Sequence, residues 1–240
     1  MFDLSKVKGL LVDFGGTIDS NGMHWAEVMW MAYEEFHVPI TKEVFREAYE
    51  FCERALAKNP VVKPHHTLSY MLWIKLEVQI EWMLHVKYLS KKQVLKELPF
   101  LLSDYCHVYA LNTIKNTRPV LEQLAEKYPM VLVSNFYGNM ESVLKKFQLD
   151  HLFKAIVESA VVGVRKPDPE IFRMGVEKLQ LPAENIVVIG DSHDKDIIPA
   201  EHIGCQTIWI KNMGWNEYNG TETANAVITD FRELKSLFNL

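Results

Sequence analysis

Cysteine is scarce: the 240 residues hold only Cys52, Cys106 and Cys205. An odd count with no metal-type spacing leaves no basis for a cysteine-built metal site. The three read as free thiols in a reducing compartment, so a cytoplasmic protein is expected. No block of Lys and Arg occurs, and the net charge is -5. Nothing therefore points to nucleic acid or an anionic membrane surface. No stretch reaches the ~20 apolar residues of a membrane span. Met1-Phe2-Asp3-Leu4-Ser5 has neither the basic start nor the apolar core of a signal peptide. Gly-x-x-x-x-Gly-Lys and Gly-x-Gly-x-x-Gly are both missing, so nucleotide cofactors have no support. Repeats and low-complexity tracts are missing too. What remains is 48% hydrophobic and 24% charged. That is the balance of a globular chain with one domain and an insertion, or two modest domains.

Glycine is sparse from Asn21 to about Lys115, and apolar residues there recur at helical spacing. Trp25, Val28, Met29, Ala32, Tyr33 and Phe36 trace one face; Val44, Phe45, Ala48, Tyr49, Cys52, Ala55 and Leu56 trace another. Thr67 is placed to cap a helix running to about Val86, and Ser90 one from Lys91 to about Tyr109. The pattern predicts a four- or five-helix insert without a strand. On either side of it the chain alternates. Val7–Val12, Met130–Val133, Ala155–Val157, Asn185–Ile189, Gln206–Ile210 and Ala226–Ile228 read as strands. Helices are expected over 119–128, 140–147, 169–179, 194–203 and 231–237. Such alternation predicts an α/β fold, a parallel sheet with helices on both faces.

Four polar stretches end strands or follow them closely. They are Asp13-Phe14-Gly15-Gly16-Thr17, Ser134-Asn135, Arg165-Lys166-Pro167 and Gly190-Asp191-Ser192 with Asp196. A parallel sheet gathers its strand ends on one edge, where open α/β sheets bind ligands. Carboxylates gathered there repel unless a cation neutralises them. Oxygen-only ligands suit a hard ion, with Mg²⁺ the first candidate. Lys166 and the cation would hold a phosphoryl group, Ser134 would donate to its oxygens, and Asp13 is a candidate nucleophile.

In this order and at these spacings the four stretches resemble the motifs of the haloacid dehalogenase-like hydrolases, and the likeness covers nearly the whole chain. It implies a Rossmann-like α/β core of residues 1–18 and 116–240, with an all-helical cap at 19–115 hinged near Asp19-Ser20 and Ile114-Lys115-Asn116. By resemblance, Asp13, Thr17, Ser134 and Lys166 are catalytic, Thr17 orienting the nucleophile. Gly16, Ser134, Asn135 and Lys166 bind substrate. Asp13, the Gly15 carbonyl, Asp191 and Asp196 hold Mg²⁺. The implied activity is Mg²⁺-dependent hydrolysis of a small phosphorylated or phosphonylated metabolite. The oligomeric state is left open.

One position departs from the pattern. Phosphatases of this family carry a general-acid Asp two residues after the nucleophile; here it is Gly15. Loss of acid–base help costs about 10²- to 10⁴-fold. Three alternatives follow. The substrate brings a good leaving group or the cap supplies the acid; phosphonoacetaldehyde hydrolases resemble this case, forming a Schiff base from a cap lysine so that the leaving carbon is an enamine. Or the enzyme is 2-haloacid dehalogenase-like, needing neither acid nor metal, against which the acidic Asp191 and Asp196 argue. Or the protein is non-catalytic. Lys58, Lys63 and Lys75 read as surface lysines, His65-His66 as a loop pair, and Arg118 as a helix-start surface charge. His193 reads equally as a solvent-facing turn residue or a neighbour of the site. Gly214-Trp215-Asn216 reads as an ordinary loop. Trp25, Trp30, Trp73 and Trp82 are expected in the cap's core, with one or two lining the pocket.

Overall fold

The computed structural model describes residues 1–216 and 218–240. Six strands form one parallel sheet: β1 Gly9–Val12, β2 Met130–Ser134, β3 Ala155–Glu158, β4 Ile186–Gly190, β5 Gln206–Ile210 and β6 Ala226–Ile228. Their spatial order is β3-β2-β1-β4-β5-β6, every neighbouring pair parallel. β1 is central, and the order reverses at it. That places the crevice for a ligand at the carboxyl ends of β1, β2 and β4. Successive side chains of β1 alternate between two cores. Leu10 and Val12 enter one with Leu132, Val187 and Ile189; Leu11 enters the other with Val131, Val133 and Val188. Burial on both faces is why these strands read as continuous apolar runs.

Between β1 and β2 lie α1 Trp25–Glu35, α2 Lys42–Lys58, α3 Leu68–His85 and α4 Leu98–Lys127, with no strand among the described residues of the stretch. Thr67 caps α3 as expected, its side chain accepting from the Tyr70 N–H. Ser90 caps nothing: it bonds within a turn to Gln93, and the next helix starts at Leu98. The expected break between helices at 91–109 and 119–128 does not form either. Pro119 lies inside α4, which runs unbroken for 30 residues, about 45 Å. Within it Thr117 donates to the carbonyl of Ile18 at 3.0 Å and ties the helix to the loop after β1. The insert boundary expected near residue 115 therefore falls within a continuous helix. Pro119 costs one backbone hydrogen bond, and burial of Ile114, Thr117, Val120, Leu121 and Leu124 along α4 offsets it.

After β2 come α5 Met140–Phe147, α6 Ser159–Val162, α7 Glu170–Leu179, α8 Ile198–His202 and α9 Leu234–Leu237. The helix expected at 194–203 begins instead as a π-helical turn, His193–Ile197. The four tryptophans of the insert are only partly buried and pack at the edge of its core. Met29, Tyr33, Phe45, Leu68 and Leu72 fill that core. No helix of the described residues is long and apolar enough to cross a membrane.

Candidate active site

Asp13 follows β1 directly, and its N–H continues the ladder to the Ile189 carbonyl at 3.0 Å. Lys166 Nζ lies 2.7 Å from Asp13 Oδ1 and 2.6 Å from Asp196 Oδ1. Thr17 Oγ1 stands 3.1 Å from both Asp13 Oδ2 and Asp191 Oδ1. Asp13, Lys166 and Asp196 are almost fully buried, and Asp191 is partly so. Three carboxylates thus face one buried ammonium. Burial, then the neighbouring charges of Asp13 and Asp196, hold the Asp191 carboxyl well above the ordinary range. Burial raises Asp196 as well, with Lys166 opposing. Burial would lower Lys166, but Asp13 and Asp196 overcome it and raise the ammonium above the ordinary lysine value. One oxygen from each of Asp13, Asp191 and Asp196 falls within 4.8 Å of the other two. An excess of hard oxygen donors at this spacing fits a divalent cation of the Mg²⁺ type.

Close backbone approach builds the cluster. Gly16 has φ +101°, and a Cβ there would lie 2.4 Å from Asp191 Oδ2. At Gly190 a Cβ would lie 2.5 Å from the Asp196 side chain. Both positions need glycine for Asp191 and Asp196 to reach the crevice. Gly15 differs: its φ is not left-handed, and a Cβ would meet only the Trp25 ring, at 3.9 Å.

Ser134 ends β2, buried, and Asn135 beside it lines the crevice. The Asn135 side chain clamps the Lys166 backbone. Its Oδ1 accepts from the Lys166 N–H at 2.9 Å, and its Nδ2 donates to the Lys166 carbonyl at 3.0 Å. Two positioning groups were not legible as such. Asp19 accepts from the Gly16 N–H at 2.8 Å and from Trp25 Nε1 at 2.9 Å, and burial lifts its pKa to about 7. Trp209 Nε1 donates to the Asp191 carbonyl at 2.7 Å.

The insert supplies the opposite wall, where several expectations fail. Lys75 is buried in the crevice, with Nζ 2.6 Å from Glu53 Oε1 and 2.7 Å from Tyr137 Oη. Glu53 overcomes the effect of burial and raises that ammonium well above the ordinary lysine value. His24 also lines the crevice. Burial, with the charges of Lys195 and Lys75, depresses its pKa to about 4, and its Nδ1 accepts from the Ala26 N–H at 3.2 Å. The ring is therefore neutral at pH 7 with its proton on Nε2. Trp215 is no ordinary loop residue: it packs on Tyr49 with centroids 5.1 Å apart, and the Arg46 guanidinium sits 4.6 Å above it. His193 is buried between Tyr218 and Trp209, outside the crevice. Arg118 donates to the Phe147 carbonyl rather than standing free. His65-His66 is a loop pair whose carbonyls accept from Ser142 and Asn139.

The chain matches the haloacid dehalogenase-like hydrolase family over residues 7–204, and it belongs to that family. Among curated proteins it is 28% identical over 104 residues to a glyceraldehyde 3-phosphate phosphatase of Pyrococcus abyssi, covering 42% of this chain and 43% of that one. It is 32% identical over 97 residues to a 5-amino-6-(5-phospho-D-ribitylamino)uracil phosphatase of Escherichia coli, covering 40% and 39%. The matched stretches thus span about two fifths of those relatives. Among solved structures, YfnB of Bacillus subtilis, bound to magnesium, superposes with TM-score 0.61 at 19% identity over 98% of this chain and 99% of that one. A dehalogenase with an intermediate complex gives TM-score 0.65 at 15% identity, over 99% and 98%. At these identities the solved structures speak for the fold.

Proposed function

We propose that this chain is a Mg²⁺-dependent hydrolase of a small phosphorylated metabolite, with Asp13 as nucleophile. Residues 1–18 and 116–240 form its core, residues 19–115 its cap, and the three buried free thiols suit a cytoplasmic setting. The observation that carries the reading is the convergence of Asp13, Asp191 and Asp196 on one buried ammonium, Lys166. With all three carboxyls ionised, this cluster carries two negative charges beyond the one that Lys166 balances. Asp13, Asp191 and Asp196, with the Gly15 carbonyl, would hold the ion. Bound there, Mg²⁺ supplies Lewis-acid charge neutralisation for the phosphoryl oxygens.

In the first step an Asp13 carboxylate oxygen attacks phosphorus and the ester P–O bond breaks. Its electron pair leaves with the alcohol oxygen, giving an aspartyl-phosphate. Lys166 balances charge on the transferring group, and Ser134 with the Asn135 and Gly16 backbones binds its oxygens. Thr17 fixes the Asp13 carboxylate for in-line attack. Water then attacks phosphorus, releasing phosphate and restoring Asp13.

Gly15 offers no proton to the leaving oxygen, so esters of acidic alcohols are favoured. A phosphonoacetaldehyde hydrolase-like route needs a free lysine amine near Asp13. Lys58 and Lys63 are exposed, and Lys75 is held as an ammonium by Glu53, which argues against it. A dehalogenase has no use for the excess carboxylates of Asp191 and Asp196. The test is phosphate release, with and without Mg²⁺, from a panel of phosphate esters beside haloacids, with Asp13→Asn as control. Halide release, or turnover that survives Asp13→Asn, would overturn the reading.

A further inference from the structure

The crevice at Asp13 adjoins a second cavity. Glu53, Asn135, Phe136, Tyr137 and Arg165 line both. The crevice holds about 140 Å³, and the annex beyond it about 340 Å³, the size of a small-ligand pocket. Leu56, Pro60, Val61 and Val62, from the end of α2 and the loop after it, wall the annex on the insert side, and Ala160 and Gly163 on the other. Away from the neck the side chains that line the annex are apolar apart from Ser159.

At the neck three side chains close a ring. Lys75 pairs with Glu53 at 2.6 Å and donates to Tyr137 at 2.7 Å; Tyr137 donates to the other Glu53 oxygen at 2.7 Å. The Lys75 charge is thereby neutralised before any substrate arrives. Across the whole crevice Asp13, Glu53, Asp191 and Asp196 face Lys75, Arg165, Lys166 and Lys195, four charges against four. A divalent cation adds two positive charges, and a phosphoryl dianion cancels both. A second anion on the substrate would enter beside Glu53 with no buried cation to meet it. Arg165 is exposed at the mouth, where water and salt screen its attraction.

We propose that the annex binds the leaving group of the substrate, and that this group is electrically neutral with an apolar body. The inference rests on the phosphohydrolase reading and narrows it to phosphomonoesters of uncharged, partly apolar alcohols. The phosphoryl group occupies the crevice at Asp13, the first atoms of the alcohol pass the Lys75–Glu53–Tyr137 ring, and the rest lies against Val62 and Ala160.

Inert phosphonates test this by calorimetry on the full chain with Mg²⁺. Each methylene buried in the annex adds up to about fourfold in affinity. Hexylphosphonate should therefore bind at least ~10-fold tighter than methylphosphonate, and propylphosphonate tighter than 3-phosphonopropionate. Ala160→Trp, on the exposed rim of the annex, should abolish the hexyl gain and leave methylphosphonate within about twofold. Ala57→Trp on the facing wall gives the same reading should the first variant melt early. Glu53→Gln frees the Lys75 charge and should reverse the preference toward 3-phosphonopropionate. If methylphosphonate binds but chain length and charge make no difference, or the anionic tail is preferred by the native chain, this proposal falls alone. If no phosphonate binds at millimolar Mg²⁺, the phosphohydrolase reading falls with it.

Discussion

Replacing Gly15 by Asp restores the side chain that phosphatases of this family place there, and the local backbone accepts it. The Gly15 φ is ordinary for an L-residue, and an added Cβ has only the Trp25 ring for a neighbour, at 3.9 Å. Loss of glycine freedom in the unfolded chain contributes about 0.4–1 kcal/mol of stability. Against this stands a fourth carboxylate beside the cluster of Asp13, Asp191 and Asp196. Without a cation that repulsion is on the order of 1–3 kcal/mol. The metal-free variant should melt up to roughly 10 °C below the native chain, at 2–4 °C per kcal/mol for a protein of this size. Mg²⁺ should recover most of the loss. The same crowding favours protonation of the new carboxyl, which is what a general acid needs. Alkyl phosphates, whose leaving oxygen requires a proton, should speed up by ~10²-fold, and aryl phosphates hardly at all. The assay is kcat/KM across esters of graded leaving-group pKa. The native chain should show a steep slope, the G15D chain a shallow one. A folded, Mg²⁺-binding variant with an unchanged slope would refute the idea that the missing acid limits turnover.

Asp191→Asn should act oppositely with and without metal. Relief of carboxylate repulsion should raise the melting temperature of the metal-free protein, while calorimetry should find Mg²⁺ binding weakened; a variant that binds Mg²⁺ normally removes Asp191 from the metal site. Gly16→Ala should destabilise by more than the roughly 1–2 kcal/mol of the left-handed backbone alone, because its Cβ would press into Asp191 at 2.4 Å; chemical denaturation reads this, and a cost under ~1 kcal/mol contradicts the close approach. Asp19 keeps its proton up to about pH 7 when folded, against 3.8 as the ordinary value. The folded state then binds more protons than the unfolded between those values, so the Asp19 contribution to stability falls as pH rises from about 4 to 7. Asp19→Asn should flatten that stretch of the stability–pH curve measured in urea, and an unchanged curve would place the titration elsewhere.

The core half of the fold was legible because its signals are local. β-branched runs such as Ile186-Val187-Val188-Ile189 are buried on both faces and admit one reading. Their polar ends fall on one edge by the geometry of parallel pairing, since Val12 lies level with Leu132 and Ile189. Asp13 follows from that arithmetic; Lys166 and Asp196 lie beyond the ends of β3 and β4, after α6 and within the π-helical turn, and their place at the site came from the family resemblance. Helix limits in the insert fared worse where a propensity rule met tertiary packing. Pro119 favours a helix start, yet α4 runs through it because its buried residues and the Thr117 bond to Ile18 outweigh one lost hydrogen bond.

The insert's side of the site was misread for a different reason: a lysine's burial is decided by its partner, and the partner lies on another helix. Glu53 on α2 and Tyr137 after β2 are 22 and 62 positions away from Lys75. One local signal existed. In Leu68–His85 Lys75 stands among apolar residues, between Ile74 and Leu76 and a turn before Gln79, all buried. A lysine on the buried side of a helix needs a partner to keep its charge. Pairing Lys75 with Glu53 makes the neck of the crevice neutral. A methionine in place of Lys75 would instead leave the Glu53 carboxylate unpaired in the crevice it shares with Asp13. Lys75→Met should therefore weaken the capture of every phosphoryl ligand, neutral or anionic in its tail, whereas Glu53→Gln should discriminate between them. Equal losses in both variants would mean that the ring only clasps the insert to the core through Tyr137, with no part in reading the substrate.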